Sequence, residues 1–281
     1  MNLRQALTRA QENLGAVETL RANATRDAEL LLLDTLRLTR AQFLANPERD
    51  LTSAELALYL EAVARRLNHE PIQYITGHQE FYGLRLKVTR AVLIPRPETE
   101  LLVEAVLARI PHDLPTTLLD IGAGTGAIAI ALAANLPQAA VTAVDISPAA
   151  LAVAQGNIDA HRLDGRVRLI QSDLLAALAG ESFDAIVSNP PYVPTPDRPS
   201  LHPEVRDHEP HTALFAGHDG LDIYRRLIPA AVAALKPNGL LALEIGYGQR
   251  EAIAELLSGW REVEFLDDLQ QIPRVALARR A

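Results

Sequence analysis

The 281-residue chain contains no cysteine, which excludes a disulfide framework and a thiolate metal site. It is also nearly free of lysine, with only Lys87 and Lys236. No apolar run approaches the roughly 20 residues of a membrane-spanning helix, and the amphipathic N-terminus lacks the apolar core of a signal peptide. These absences predict a cytoplasmic protein with no membrane partner.

The charge balance is acidic, with 27 basic against 35 acidic residues and a net charge of −8. Neither the segment 1–71 nor the remainder of the chain carries an excess of positive charge. Proteins that bind nucleic acids need clustered Lys and Arg to displace counterions from phosphates. The composition therefore disfavours direct contact with DNA or RNA as the main role.

The segment 1–70 is predicted to form a small helical domain. Three stretches place apolar residues at helical spacing: residues 2–14, 25–38 and 53–68. Thr52 or Ser53 is a candidate N-cap for the third stretch, with Glu55 available to complete a capping box. The domain carries no clustered polar chemistry, which favours a docking role over a catalytic one.

The rest of the chain reads as a linker followed by an α/β domain. Residues 71–95 alternate around Gly77 and Gly83, which predicts a β-hairpin. Residues 96–281 then alternate strands with helices, ending in two strands, a pattern typical of a mostly parallel seven-stranded sheet with helices on both faces. We also predict a short helix over 174–180, and a long loop over 193–220 as a substrate-facing lid.

Ligands of such sheets bind at the carboxyl ends of the strands, and three of these ends carry suitable residues. The first strand leads into "DIGAGTG" (120–126), whose glycines let the backbone approach a ligand closely. The second strand, downstream of Gly126, ends in Asp145, where a carboxylate can accept from ribose hydroxyls. The third ends at Asp173, near an expected adenine.

This spacing predicts an adenosine-containing ligand but also satisfies a relaxed dinucleotide fingerprint. Asp120 distinguishes a dinucleotide from S-adenosylmethionine. A carboxylate at this position would repel a pyrophosphate but suits the ammonium group of a methionine moiety. S-adenosylmethionine, which has no phosphate, therefore fits better than NAD.

The segment "SNPPY" (188–192) follows the fourth strand. An amide or exocyclic nitrogen is a poor nucleophile, and two acceptors on its N–H bonds would aim its lone pair at a methyl group. Asn189 offers one acceptor through its side chain and the carbonyl of Pro190 the other. Tyr192 offers a flat surface for a planar substrate group.

"DIGAGTG" with "SNPPY" resembles the class I S-adenosylmethionine-dependent methyltransferases that modify planar amino groups. Three further stretches, "QYITGHQEFYGL", "LIPRPETE" and "EPHTALFAGHDGLDIYRRLI", narrow the resemblance to the release factor glutamine methyltransferase family. It covers nearly the whole chain. It implies a Rossmann-like fold and methylation of N5 of the glutamine in the Gly-Gly-Gln motif of class I peptide-chain release factors.

The resemblance also assigns residues by position. It implies a cofactor site formed by Asp120, Gly122, Ala123, Gly124, Thr125, Gly126, Asp145, Asp173 and Asn189. It implies a glutamine pocket formed by Asn189, Pro190, Pro191 and Tyr192, of which Asn189, Pro190 and Tyr192 would be catalytic. Arg96 and Glu98 are lesser candidates at the pocket entrance. Gln270 and Gln271 stand where the family pattern suggests a glycine.

Three other functions stay open at this point. They are an amino methyltransferase acting on adenine or ribosomal RNA, a ribosomal-protein glutamine methyltransferase, and a non-catalytic module that binds adenosylmethionine or a ribosomal partner. The four histidines of loop 193–220 have spacings that match no compact metal site, so no metal is expected.

Overall fold

The computed structural model describes all 281 residues and divides them into two units. The helical unit comprises residues 1–78 and 202–208, and the α/β unit comprises residues 79–201 and 209–281. No sequence pattern indicates that a segment of the long loop packs with the helical unit. The division into a helical domain (1–70), a linker (71–95) and an α/β domain (96–281) stays a prediction.

The helical unit is built from short amphipathic helices. They are α1 (Leu3–Gly15), α2 (Ala24–Thr35), α3 (Arg40–Ala45), α4 (Ser53–Leu67) and α5 (Ile72–Thr76). Three of them begin at complete capping boxes, at Asn2, Thr39 and Thr52. The expected N-cap of α4 is thus Thr52, whose side chain accepts from the Glu55 backbone while the Glu55 carboxylate accepts from the Thr52 backbone.

The segment from the long loop contains α9 (Pro203–His208) and is held by a buried ion-pair group. Arg66 is 2% exposed, and its guanidinium donates to Asp27 at 2.7 Å and to Glu204 at 2.5 Å. His208 is also hydrogen-bonded to the carbonyl of Asn68. A buried arginine needs such partners, because an uncompensated charge in the interior costs several kcal/mol, about 3–5 when one partner is removed.

The next elements along the chain form a two-stranded hairpin, β1 (His78–Phe81) and β2 (Leu84–Lys87). Tyr82 and Gly83 join the strands, both with positive φ, as a type I′ turn requires. The hairpin confirms the prediction, but over a narrower range than 71–95. Residues 72–76, which lie inside the predicted hairpin range, instead form α5, which follows Pro71 and ends at the left-handed Gly77.

The main sheet has seven strands and is flanked by helices. The strands are β3 (Thr116–Ile121), β4 (Ala139–Asp145), β5 (Val167–Gln171), β6 (Phe183–Ser188), β7 (Leu235–Glu244), β8 (Arg261–Asp267) and β9 (Pro273–Arg279). The helices are α6 (Glu98–Leu107), α7 (Ala127–Asn135), α8 (Pro148–Ala160), α10 (Asp222–Ala234) and α11 (Arg250–Leu256).

The strand order is β5-β4-β3-β6-β7-β9-β8, and all neighbours are parallel except the pairs that involve β9. Helices α6, α7 and α8 contribute to the core on one face, and α10 and α11 to the core on the other. The chain runs outward from β3 through β4 to β5, then returns to β6 on the other side. This reversal of order between β3 and β6 is where ligands bind in open α/β sheets.

Two further stretches differ from the simple pattern expected of them. Residues 174–177 form turns, so the short helix predicted over 174–180 is wrong: Leu174 adopts a φ of +50°, which a helix does not allow. The loop over 193–220 contains α9 and two short 3₁₀ segments. Its role as a lid stays a prediction. No helix has the length and apolar character that crossing a membrane requires.

The turn between β8 and β9 contains Gln271, one of the two glutamines that stand where the family pattern suggests a glycine. Gln271 adopts a φ of +61°, the left-handed conformation that favours glycine. The turn is held by Asp268, whose carboxylate accepts from the backbones of Gln270 and Ile272. The strained glutamine is therefore kept in place by hydrogen bonds around it.

Candidate functional site

The predicted glycine turn follows β3 and has the backbone that its sequence demands. Gly122, Gly124 and Gly126 have φ values of +82°, +52° and +81°. A Cβ on Gly126 would lie 3.4 Å from the Cβ of Ala154 in α8, so this glycine also lets the start of α7 lie close to α8. Asn157 of α8, which sequence reasoning missed, is buried and donates to the carbonyl of Thr125 at 2.9 Å. The glycine turn is therefore held in place by a hydrogen bond from α8.

Asp145 ends β4 beside this turn. Its Oδ2 accepts from the backbone N–H of Gly124 at 2.8 Å, and its Oδ1 accepts from that of Ser147 at 2.9 Å. Each carboxylate oxygen has a second lone pair that can accept from a hydroxyl. The next residue, Ile146, is 59% exposed despite being aliphatic. A paired acceptor beside an exposed apolar surface suits a ribose and its base.

Asp120, the one acidic residue of β3, is 1% exposed. Its Oδ2 accepts from the backbone N–H of Ala129 at 3.2 Å, whereas its Oδ1 is buried without a hydrogen-bond partner. Burial, more than the nearby charge of Asp145, raises the pKa of Asp120 to about 7. An orphaned buried carboxylate oxygen of this kind fits a cationic ligand, so the residues present suit adenosylmethionine.

Asp173 follows β5, the strand next to β4, and its surroundings differ from those of Asp145. It is exposed, and its Oδ2 accepts from Arg226 of α10 at 2.6 Å. This ion pair leaves Asp173 at the same edge of the sheet as the other acids. Its proposed place near an adenine stays a prediction.

The segment Ser188–Tyr192 begins where β6 ends, directly beside β3. The Ser188 hydroxyl donates to the carbonyl of Ile121 at 2.6 Å, which locks the two strand ends together. A Cβ on Gly122 would lie 3.8 Å from the backbone carbonyl of Asn189. Two predicted groups, the glycine turn and the Asn-Pro-Pro-Tyr segment, are thus brought into one site at the point where strand order reverses.

Asn189 makes a contact that the sequence did not suggest. Its Nδ2 donates to the Thr99 hydroxyl at 3.1 Å, and that hydroxyl donates to Glu244 Oε2 at 2.6 Å. Thr99 lies in the first turn of α6, and Glu244 is the last residue of β7. Both are buried. The one available signal was Glu244 itself, a carboxylate closing the apolar strand "LLALE".

Tyr192 is anchored at the same carboxylate. Its hydroxyl donates to Glu244 Oε1 at 3.3 Å, and burial is the main reason that the pKa of Tyr192 is raised above its ordinary value. Burial likewise raises the pKa of Glu244 to about 7, although the hydrogen bond from Thr99 opposes the shift. Tyr192 is thus held by its tip, with the ring partly buried.

Two glycines and a glutamine shape the backbone around Tyr192. A Cβ on Gly220 would lie 2.2 Å from the carbonyl of Tyr192, and a Cβ on Gly246 would lie 2.9 Å from its ring. Gln249 is buried and donates to the carbonyl of Tyr192 at 3.0 Å. A larger residue at either position would collide with these groups, so the two glycines allow the surrounding backbone to pack closely against Tyr192.

The lesser candidates and the loop histidines have other partners. Arg96 pairs with the buried carboxylate of Glu209, and Glu98 begins α6. In the helical unit, His202 and His208 are hydrogen-bonded to backbone carbonyls. No three His, Cys, Asp or Glu side chains come together as metal ligands.

Family models match both parts of the chain. Residues 97–199 match the methyltransferase small domain, and residues 5–77 match the PrmC N-terminal domain. The Rossmann-like sheet with its glycine turn and strand-end acid, together with these matches, defines an S-adenosylmethionine-dependent methyltransferase.

Curated relatives give the family. The chain is 47% identical over 281 residues to the release factor glutamine methyltransferase of Koribacter versatilis, covering 100% of this chain and 99% of the relative. It is 48% identical over 285 residues to that of Moorella thermoacetica, with coverage of 100% and 99%. The chain therefore belongs to the release factor glutamine methyltransferase family.

Solved structures support the fold alone. The hMettl16 catalytic domain, solved with a MAT2A 3'UTR hairpin, is 17% identical with a TM-score of 0.59, and the match covers 82% of this chain and 83% of that one. A methyltransferase from Pyrococcus furiosus is 20% identical with a TM-score of 0.52, and the match covers 78% and 97%.

Proposed function

We propose that the protein transfers a methyl group from S-adenosylmethionine to the side-chain amide N5 of a glutamine in a peptide-chain release factor. The observation that supports this most directly is the placement of Asn189. It follows β6, beside the glycine turn, with its amide nitrogen already engaged by Thr99. That leaves the amide oxygen as the group that can accept from a substrate N–H.

The cofactor would be held by the strand ends. The Asp145 carboxylate would accept hydrogen bonds from its ribose hydroxyls, the glycine turn from 122 to 126 would allow its close approach, and Asp120 would be the acid for its ammonium group. Asp173 is proposed near its adenine, alongside the exposed Ile146. When bound, the cofactor supplies an electrophilic methyl group on a sulfonium.

The substrate amide would be held by the segment from Asn189 to Tyr192. Asn189 Oδ1 and the Pro190 carbonyl would each accept a hydrogen bond from one of its two N–H groups, which fixes the plane of the amide and the direction of the nitrogen lone pair. Pro190 and Pro191 have no N–H that could compete for these acceptors. Tyr192 offers its ring to the planar amide. The contribution is positioning, because the nitrogen becomes more acidic as it is alkylated.

The substrate class follows from the family, whose members carry the name of release factors as substrate. We propose the Gly-Gly-Gln glutamine of class I release factors in the cytoplasm as the target. Discrimination between substrates is tested by offering labelled adenosylmethionine with a release factor, duplex DNA and ribosomal RNA in parallel. Label only on release factor, lost when its Gly-Gly-Gln glutamine is replaced by alanine, is the expected result. Equal labelling of a nucleic acid would overturn the proposal.

The helical unit is proposed as an additional docking surface for the release factor. It exposes several leucines, among them Leu44 at 65% and Leu58 at 54%. Replacing both by glutamate should raise KM for intact release factor and leave transfer to a short Gly-Gly-Gln peptide unchanged. Leu114→Glu, at a 55% exposed leucine of the α/β unit, is the matched control. An unchanged KM would remove this role from the two leucines.

A further inference from the structure

A chain of three hydrogen bonds runs from the buried end of β7 to the proposed catalytic amide. Glu244 accepts from Thr99 through Oε2 and from Tyr192 through Oε1, at 2.6 and 3.3 Å. Thr99 in turn accepts from Asn189 Nδ2 at 3.1 Å. Glu244 is 2% exposed and Thr99 is 4% exposed, so bulk water does not compete for these bonds.

The chemistry of the three groups determines which group donates in each hydrogen bond. An ionised carboxylate only accepts hydrogen bonds, so the single hydroxyl proton of Thr99 must point to Glu244. The remaining lone pairs of Thr99 can then only accept, and the NH₂ end of the Asn189 amide must face them. The other end of the amide, Oδ1, is left on the opposite side.

We infer that Glu244, acting through Thr99, is a positioning residue that sets which end of the Asn189 amide faces the methyl acceptor. The inference rests on the proposed function, because it gives a reason why Asn189 presents an acceptor rather than a donor. An amide with its two ends exchanged would present NH₂ to the substrate N–H and repel it. The two orientations have nearly the same shape, so packing alone does not choose between them.

The carboxylate itself is rigidly placed, as a positioning group must be. The Tyr224 hydroxyl, buried in α10, donates to the backbone carbonyl of Glu244 at 2.7 Å. Tyr192 holds the other carboxylate oxygen. Glu244 thus fixes both ends of the Asn-Pro-Pro-Tyr segment, Asn189 through Thr99 and Tyr192 directly.

The test compares Thr99→Val, which keeps the shape of the side chain and removes its hydroxyl, with Thr99→Ser, which keeps the hydroxyl. Thr99→Val should lower kcat for release factor about tenfold, the effect of losing one oriented hydrogen bond, with cofactor affinity by calorimetry unchanged. Thr99→Ser should keep kcat close to that of the unaltered protein. Thr116→Val is the matched control, since the buried Thr116 hydroxyl has no hydrogen-bond partner. It should leave kcat unchanged.

A double-mutant cycle separates positioning from a general structural effect. If Thr99 acts through Asn189, then Thr99→Val should cost nothing further in an Asn189→Ala background. Glu244→Gln gives a second cycle with the same expectation and is tolerated more easily in the interior because it carries no charge. Independent, multiplicative losses in both cycles would overturn the inference.

The same experiment distinguishes failure of the inference from failure of the proposed function. If the unaltered protein transfers no methyl group to release factor, the proposed function is wrong. If it transfers normally, and Thr99→Val and Glu244→Gln do as well, only the positioning role is wrong.

Discussion

The backbone N–H of Gly124 donates to the carboxylate of Asp145 across 2.8 Å, so the acid that ends β4 also holds the glycine turn that follows β3. One residue therefore serves both the proposed ribose site and the shape of the turn. Its second oxygen holds the start of α8 through Ser147.

Asp145→Ala should weaken adenosylmethionine binding by about 10- to 100-fold, since it removes a charged acceptor and loosens the turn. Asp145→Asn keeps one acceptor oxygen and should lose less. Titration calorimetry measures both, with thermal unfolding as a check on folding. Unchanged affinity in the alanine variant would remove Asp145 from the ribose site.

Asp120 should make the stability of the ligand-free protein depend on pH. Its pKa is raised by burial to about 7 in the folded state, above its ordinary value of 3.8. Between these two values the folded state holds a proton that the unfolded state has released, so stability falls as pH rises. The fall is at most about 1.4 kcal/mol per pH unit.

Asp120→Asn removes this titration. Unfolding curves between pH 5 and 8 should show the unaltered protein losing stability relative to the variant up to about pH 7, and not beyond. A difference that does not vary with pH would contradict the raised pKa.

Gln271 offers a stabilising substitution. A left-handed conformation costs a non-glycine residue about 1–2 kcal/mol, and glycine gives back about 0.5–1 kcal/mol in unfolded-state entropy. Gln271→Gly should therefore stabilise the protein by roughly 0.5–1 kcal/mol, seen as a higher Tm. Gln270→Gly, at the neighbouring position without a positive φ, should not. A Tm lowered by Gln271→Gly would show that its side chain contributes more than its backbone costs.

The sheet was predictable from sequence because strands and helices alternate strongly and the strands are nearly continuous apolar runs. The glycine turn and Asp145 were predictable because backbone conformation and strand-end chemistry are local. The helix at residues 72–76 was not, because its few residues carry no helical period and Pro71 and Gly77 bound it on either side.

The partners of Asn189 could not be found in the same way. Thr99 and Glu244 are both far from Asn189 in the sequence, and meet it only because β7 pairs with β6 and α6 packs against β7. Nothing local marks Thr99, which reads as an ordinary residue of a helix first turn. The packing of residues 202–208 with the helical unit could not be predicted for the same reason, since Arg66 and Glu204 are also distant in the sequence.

Asn189→Ala should lower single-turnover methyl transfer to release factor by about 10²- to 10³-fold, the effect of removing one positioned polar group. Cofactor affinity should change far less, because the proposed ribose contacts come from β4. Near-normal transfer would mean that the Asn-Pro-Pro-Tyr segment only ends a strand.

Asn189→Asp is the companion variant. It keeps an acceptor but places a negative charge beside the sulfonium and next to Thr99, which already donates to Glu244. It should bind cofactor at least as well as the unaltered protein and still fail to restore transfer. Full recovery of turnover would show that any acceptor suffices, whatever its charge.

Glu244 should give methyl transfer a pH dependence of its own. Burial raises its pKa to about 7. The titratable and charged groups that face it are Tyr192, Tyr224, Arg274 and Glu98. The pKa values of both tyrosines are raised above their ordinary value of 10, so neither titrates in this range. Protonation of Glu244 turns it into a donor and frees the Thr99 hydroxyl to donate to Asn189 instead.

The Asn189 amide is then free to turn, so kcat at saturating cofactor should fall as pH drops below about 7. Glu244→Gln imitates the protonated form, since it is neutral and able to donate. Its kcat should be low and nearly independent of pH between 6 and 8, while Thr116→Val should follow the profile of the unaltered protein. A Glu244→Gln profile that matches the unaltered protein in height and shape would show that the carboxylate does not orient Asn189.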